Sequence, residues 1–198
     1  MSALEIAAVV VSALAVWLTA RRKLLCWPIG FVSVLLYARI FFAAKLYSDL
    51  LLQLIFALMQ LYGWWKWSRA TPDRYDIQPQ RLSASGWAAG LLIGALGGLL
   101  LGYTMARFTD AHIPWLDSAL TSFSLVAQFW MARKYVANWW LWIAVDIVYV
   151  GVYLYKDLTL TAGLYAAFIV LALIGLRNWR RELRLHERGQ AVELAAAM

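Results

Sequence analysis

Charge is scarce in this chain of 198 residues: only 15% are Asp, Glu, Lys or Arg, against about 25% in an ordinary soluble domain. Histidine (2), cysteine (1) and proline (4) are scarce too. His112 and His186 fall in a loop and in the tail, with no ligand spacing around them, so no zinc pattern can be assembled and no metal or cofactor is expected. A lone Cys26 forms no intrachain disulfide. There is no Walker loop and no Ser-His-Asp set that one site could gather, and an intramembrane enzyme needs more than one buried ionisable group. Catalysis therefore finds little support. The first apolar run also lacks a basic segment ahead of it, because Arg21, Arg22 and Lys23 follow it. It reads as a retained membrane helix with its N-terminus outside, not as a cleaved signal.

What is present is grease. Hydrophobic residues make up 64% of the chain, with 12 Trp, 10 Tyr and 8 Phe, and the mean hydropathy is +0.66. Seven apolar runs can be drawn: Ala3–Ala20, Leu24–Ala44, Leu46–Trp67, Ser83–Ala106, Ser118–Ala132, Asn138–Tyr155 and Leu158–Leu176. Each approaches the roughly 20 residues a crossing needs; the fifth is short and borrows from the loop before it. Strands are excluded unless a barrel closes, since open edges go unpaired in lipid. The expected fold is an all-α polytopic membrane protein of seven transmembrane helices. After Leu176 the basic tail is expected to form an interfacial helix that frays.

The net charge of +7 does not point to nucleic acid, because the basic residues cluster between apolar runs. With the N-terminus outside, 14 of the 18 Lys and Arg fall on the cytoplasmic side, leaving only Arg39, Lys45, Arg107 and Lys156 outside. That asymmetry predicts a cytoplasmic C-terminus and an odd number of helices.

The most informative pattern is an internal repeat. Displaced by 112 residues, Trp27 falls on Trp139, Tyr37 on Tyr149, Leu46 on Leu158, Phe56 on Phe168, Gly63 on Gly175 and Trp67 on Trp179. A displacement of four crossings preserves direction, so the repeats are parallel. The single transmembrane domain, 1–198, divides into a first three-helix repeat (1–67), a linker helix (83–106), a second repeat (117–179) and a cytoplasmic tail (180–198). Two parallel repeats about an axis normal to the membrane form a transporter plan, with the substrate site between the halves near midplane.

Few polar side chains lie inside these runs. Asp146 sits about 12 Å from the cytoplasmic end of the sixth run, close to the middle of a roughly 30 Å core. Trp139, Trp142 and Asp146 are spaced i, i+3, i+7 on one face. A buried carboxylate with two indoles suits a flat, cationic, hydrogen-bonding ring; the plain alternative is a carboxylate that orders the bundle and indoles that belong to an interfacial belt. Gln53 and Gln60 share a face with Asp49 on the third run. Both glutamines should face inward, as ligand contacts or as interhelical staples, whereas Asp49 lies near the outer end where water can solvate it. Ser33, Tyr149, Tyr165 and Thr161 can add hydrogen bonds or simply pack. A non-transporting membrane subunit remains the other class of reading.

The segments WPIG (Trp27–Gly30), KLYSDLLLQLIFALMQLYGWWKW (Lys45–Trp67) and DSALTSFSLVAQFWMARKYVANWWLW (Asp117–Trp142) resemble the PnuC family of vitamin-precursor transporters. That family is similar to the SWEET sugar transporters in its parallel three-helix repeats. The resemblance implies facilitated diffusion of a vitamin across a bacterial cytoplasmic (inner) membrane, trapping of the substrate by a cytosolic kinase, and a homo-oligomer, with a trimer as the implied form. Trp139 and Trp142 match the family's NWxxW pair, Gln53 the glutamine of LYxxxxLQ, and Gln60 a position where the family has an amide. The departure is Asp146, where nicotinamide riboside carriers have Asn. A carboxylate there favours thiamine, whose aminopyrimidine donates hydrogen bonds and whose ring is cationic; nicotinamide riboside, also a cation, is the alternative.

Overall fold

The computed structural model describes residues 3–43, 47–69, 78–109, 113–155 and 159–196, without the side chains of 3, 47–49, 51, 160 and 191–196. The Asp49 side chain, His112, Lys45, Lys156 and the Leu46/Leu158 repeat match thus lie outside the described residues. Seven helices account for nearly everything described: α1 (Ala3–Ala20), α2 (Cys26–Ala43), α3 (Tyr47–Ser68), α4 (Ala84–Phe108), α5 (Pro114–Ala132), α6 (Ala137–Tyr155) and α7 (Thr159–Ala196). The fifth run does borrow from its loop, starting at Pro114, whose fixed φ and missing N–H suit a first helical turn. By length and composition, Cys26–Ala43, Ala84–Phe108, Ala137–Tyr155 and Thr161–Gln190 suffice to cross a membrane, with Leu4–Ala20 slightly shorter. α3 and α5 are more polar, and they pack on each other.

One expectation needs correcting. The tail forms no new helix of its own: α7 continues unbroken from Thr159 through Ala196. Trp179, the last residue of the second repeat, is fully buried, and beyond it Glu182 pairs with Arg22 at 2.8 Å. Leu183, partly buried against the same cluster as Leu176 and Trp179, keeps the basic continuation of the helix on the bundle.

The helices form a closed ring in which α1, α2, α3, α5, α6 and α7 each touch the next and α7 returns to α1. α4 stands outside it, against α5. Its stripe Gly90, Gly94, Gly98, Gly102 is buried at a spacing of four, so one face has no side chains. Into that face α5 inserts Trp130, Phe123, the Ala119 backbone and Trp115 in succession. Small residues that let two backbones approach are the usual adhesive between helices in lipid, where burial of apolar surface supplies no net drive.

The repeat is visible atom by atom. Arg22 and Lys134, 112 residues apart, are the two non-glycine residues with positive φ (56° and 58°) among those described. Each ends the first helix of its half in a Schellman-type turn: Lys23 N–H reaches Leu18 O at 3.0 Å, and Tyr135 N–H reaches Trp130 O at 2.9 Å. The next turns also match, with Trp27 N–H to Leu24 O and Trp139 N–H to Val136 O both at 3.2 Å. An L-residue in this region carries a small steric penalty. Here it sets the same sharp reversal between the first two helices of both halves.

The α4–α5 seam gives a direct test. Gly94→Leu should force Phe123 out of its seat and lower stability by about 1–3 kcal/mol. Gly163→Ala, where nothing lies within 4 Å of an added Cβ, should be neutral. Thermal unfolding of both variants in detergent checks this; equal melting temperatures would show that the glycine stripe does not hold α4 in place.

Candidate functional site

Four indoles close the end of the ring that carries the basic loops. Trp27 begins α2, Trp67 ends α3, Trp139 begins α6 and Trp179 lies on the matching turn of α7, all buried in one cluster. Trp27 meets Trp67 edge-on at 5.3 Å and 80°, and Trp139 meets Trp179 at 5.4 Å and 89°. Gly63 and Gly175 are the floors on which Trp27 and Trp139 lie; a Cβ at either would collide with the ring. Between the halves Trp67 contacts Trp179 at 6.1 Å, so the pseudo-two-fold axis passes between these two rings.

The hydrogen bonds of this cluster cross from one half to the other. Trp67 Nε1 donates to Ala132 O at the end of α5 (3.1 Å), and Trp179 Nε1 donates to Thr19 O at the end of α1 (3.2 Å). Lys134, buried, places its ammonium 4.4 Å from the Trp67 ring centroid, a cation–π contact that keeps the charge favourable where water is scarce. The loop before α4 is tied to the same end, with Gln80 N–H to Lys134 O at 2.9 Å and Val136 N–H to Gln80 O at 3.0 Å.

Deeper in the ring the polar side chains gather. Asp146 is 6% exposed on α6, and no donor or cation among the described residues pairs with its carboxylate. One turn toward the basic end, Trp142 packs against both core clusters, and its buried Nε1 has no acceptor among the described residues. One turn the other way, Tyr149 stands 4.7 Å from Tyr165 and 5.9 Å from Tyr153, and Tyr165 is within electrostatic reach of Asp146. The result is an α6–α7 wall of indole, carboxylate and phenols. Unpartnered buried polar groups are rare because each costs free energy; Trp27 Nε1, Trp139 Nε1 and Asn138 Oδ1 also lack partners among the described residues but lie at the indole-closed end, which leaves the Asp146 carboxylate and the Trp142 N–H as the deeper candidates for ligand contacts.

The other expected residues divide. Gln60 lies against Gly30, where an added Cβ would come within 2.7 Å of the amide nitrogen; Gln53 is half-buried two turns away on α3. The Ser33 hydroxyl is engaged by Ser12 at 2.5 Å, a staple between α1 and α2. Tyr37, the repeat mate of Tyr149, also bonds Ser12. Trp139 is placed in the indole cluster, two turns from Asp146, and not beside the carboxylate. Gln128, Ser124 and Asn138 are buried polar residues that sequence reasoning passed over. Ser124 carried a usable signal, since it is the repeat mate of Ser12.

Two like halves in a helical ring, sealed at one end and lined with unsatisfied polar groups within, define a membrane carrier. The chain belongs to the family described as nicotinamide mononucleotide transporters, whose model matches residues 2–181. It is 29% identical to the nicotinamide riboside transporter PnuC of Escherichia coli (strain K12) over 217 residues, covering 96% of this chain and 89% of that protein. It is 27% identical to the riboflavin/roseoflavin transporter RibM of Streptomyces davaonensis over 162 residues, covering 80% of this chain and 76% of that one. The crystal structure of the vitamin B3 transporter PnuC shares the fold, with a TM-score of 0.75 at 23% identity over 92% of this chain and 83% of that chain.

The two matched tryptophans of α6 should separate by measurement. Trp139→Ala opens a hole beside Trp179 and should cost about 3–5 kcal/mol of stability. Trp142→Ala should leave the melting temperature nearer wild type and abolish ligand-induced quenching of tryptophan fluorescence. The opposite pattern would exchange their roles.

Proposed function

We propose that the protein carries a cationic, ring-bearing vitamin down its gradient, binding it on the α6–α7 wall with Trp142 stacking on the ring and Asp146 facing its charge. The observation that carries this reading is the Asp146 carboxylate, buried and without a partner among the described residues. An unpaired carboxylate in a low-dielectric site either takes a proton or is joined by a cation, and a cationic substrate supplies the second course. Thiamine satisfies the carboxylate twice, with a positive ring and an amino group. Nicotinamide riboside, also a cation, is the second reading, and it is favoured by the name of the Escherichia coli relative. Gln53, Gln60 and Tyr149 supply the remaining polar contacts in either case, while Ser33 and Trp139 support the walls. The two repeats, 1–67 and 117–179, act as the moving halves around this site, with the basic end in the cytoplasm and the N-terminus outside. No second midplane acid accompanies Asp146 among the described residues, which fits uniport. Homo-oligomerisation and trapping of the substrate by a cytosolic kinase complete the reading.

Titration of purified protein against thiamine and nicotinamide riboside side by side decides the ligand. Asp146→Asn should weaken thiamine binding by roughly ten- to a hundredfold, as expected from losing a charge-assisted hydrogen bond worth about 1.5–3 kcal/mol. Binding of nicotinamide riboside should hold or improve, because an amide can meet its carboxamide. Unchanged thiamine affinity in a folded variant would remove Asp146 from the site. Proteoliposomes should equilibrate substrate without an imposed ion gradient; uptake that requires a sodium or proton gradient would refute uniport.

A further inference from the structure

Arginines converge on the outer surface of the ring, away from the central site. A cleft of about 620 Å³ between α4, α6 and α7 is lined by Arg81, Arg177, Arg180 and Arg184 together with Trp87 and Trp140. Arg81 is already committed, with Glu187 accepting two bonds from it at 2.7 and 2.9 Å. Glu182, the other described carboxylate on this part of α7, pairs with Arg22. No carboxylate among the described residues pairs with Arg177, Arg180 or Arg184. Arg180 lies over the Trp140 ring at 5.2 Å, which orients its guanidinium. The three arginines follow i, i+3, i+7, so one face of α7 presents them together.

Charge asymmetry across the membrane accounts for arginines at this end, but not for their convergence on one cleft. What lies next to the cleft identifies the occupant. Toward the membrane interior, the Arg177 face of α7 becomes Leu173, Val170 and Ala166, all exposed. On α6 the Trp140 face continues as exposed Ala144 and Ile147, and on α4 Trp87 is followed one turn on by exposed Leu91. From Arg177 to Ala166 is about 16 Å of helix, the depth of one leaflet of a roughly 30 Å core. Three apolar strips thus run from lipid depth up to an arginine cluster flanked by interfacial tryptophans.

We propose that this cleft binds the phosphate headgroup of an anionic phospholipid, with the acyl chains lying along the exposed faces of α4, α6 and α7. Guanidinium groups match phosphate oxygens with paired hydrogen bonds, and basic clefts between helices at the membrane surface recognise anionic headgroups. A soluble anion has no use for the apolar strips, so chain and headgroup together distinguish the two sources. The lipid would bridge α4 to α7 across the cleft.

The test uses the full chain in detergent, with phosphatidylglycerol, phosphatidylcholine or inorganic phosphate added and with thermal unfolding and native mass spectrometry as readouts. Phosphatidylglycerol should raise the melting temperature and remain bound on ionisation; phosphatidylcholine and phosphate should do neither. Arg177→Gln/Arg180→Gln/Arg184→Gln should lower phosphatidylglycerol affinity by about tenfold or more, near 1.4 kcal/mol, whereas Arg181→Gln/Arg188→Gln removes two charges outside the cleft and should keep it. If the triple variant folds poorly, Arg180→Gln alone should still reduce the lipid-induced shift. Equal losses in both multiple variants, equal stabilisation by phosphatidylcholine, or stabilisation by phosphate alone would each overturn the proposal.

Discussion

The contact between Trp67 and Trp179 is the constraint around which the ring is arranged. These are repeat mates, and they touch each other across the axis that relates the halves. Each donates its indole N–H not to its own half but to the first helix of the other, Trp67 to Ala132 and Trp179 to Thr19. The two seams of the ring, α3 with α5 and α1 with α7, are therefore closed by matching indole donors whose acceptors differ by one position, since Ala132 is the repeat mate of Ala20 and not of Thr19. Those bonds need the helix ends at Ala20 and Ala132 to be presented correctly. The left-handed turns at Arg22 and Lys134 provide that presentation. Gly63 and Gly175 then leave room for the partner indoles beneath.

Much of this plan was readable from residues alone, for identifiable physical reasons. Apolar runs reveal helices because lipid allows little else, and the seven runs agree with α1–α7 to within a few residues except at the tail. Trp, Gly and Tyr at one displacement reveal the repeat because large and absent side chains must fit each other in both halves. The turns at Arg22 and Lys134 carried no signal, since glycine is the usual mark of that conformation and neither has it. The tail misled because its arginines suggest a helix of its own, whereas Glu182 and Leu183 still hold it to the bundle, through Arg22 and through the buried cluster.

The site was less legible than the fold, and Trp139 shows why. Spacing places Trp139 and Trp142 on one face of α6, but a face has depth. One turn of helix separates a ring sealed against Trp179 from a ring exposed to the interior polar wall. Depth depends on what the opposite helix offers, and that is a tertiary fact. Gln128 was missed for a related reason: one amide in an apolar run does not announce whether it faces the axis or a neighbour.

Symmetry explains the scaffold, and broken symmetry explains how it can hold an asymmetric ligand. Gly30 of α2 corresponds to Trp142 of α6, and Gln60 of α3 corresponds to Ala172 of α7. In the first half the small residue makes room for an amide from the next helix; in the second, the large indole is matched by a small residue on the next helix. The two exchanges place an amide on one side of the axis and an aromatic face on the other, at equivalent depth. Just beyond, Val34 in the first half corresponds to Asp146 in the second, so charge too is confined to one wall. A perfectly two-fold site would bind a two-fold ligand or offer two equal poses. If the ligand binds as proposed, these substitutions at three matched positions leave one orientation in which ring, charge and polar edge are all met. The indole cluster, where the mates remain identical, keeps the symmetric contact that both halves need to close against each other.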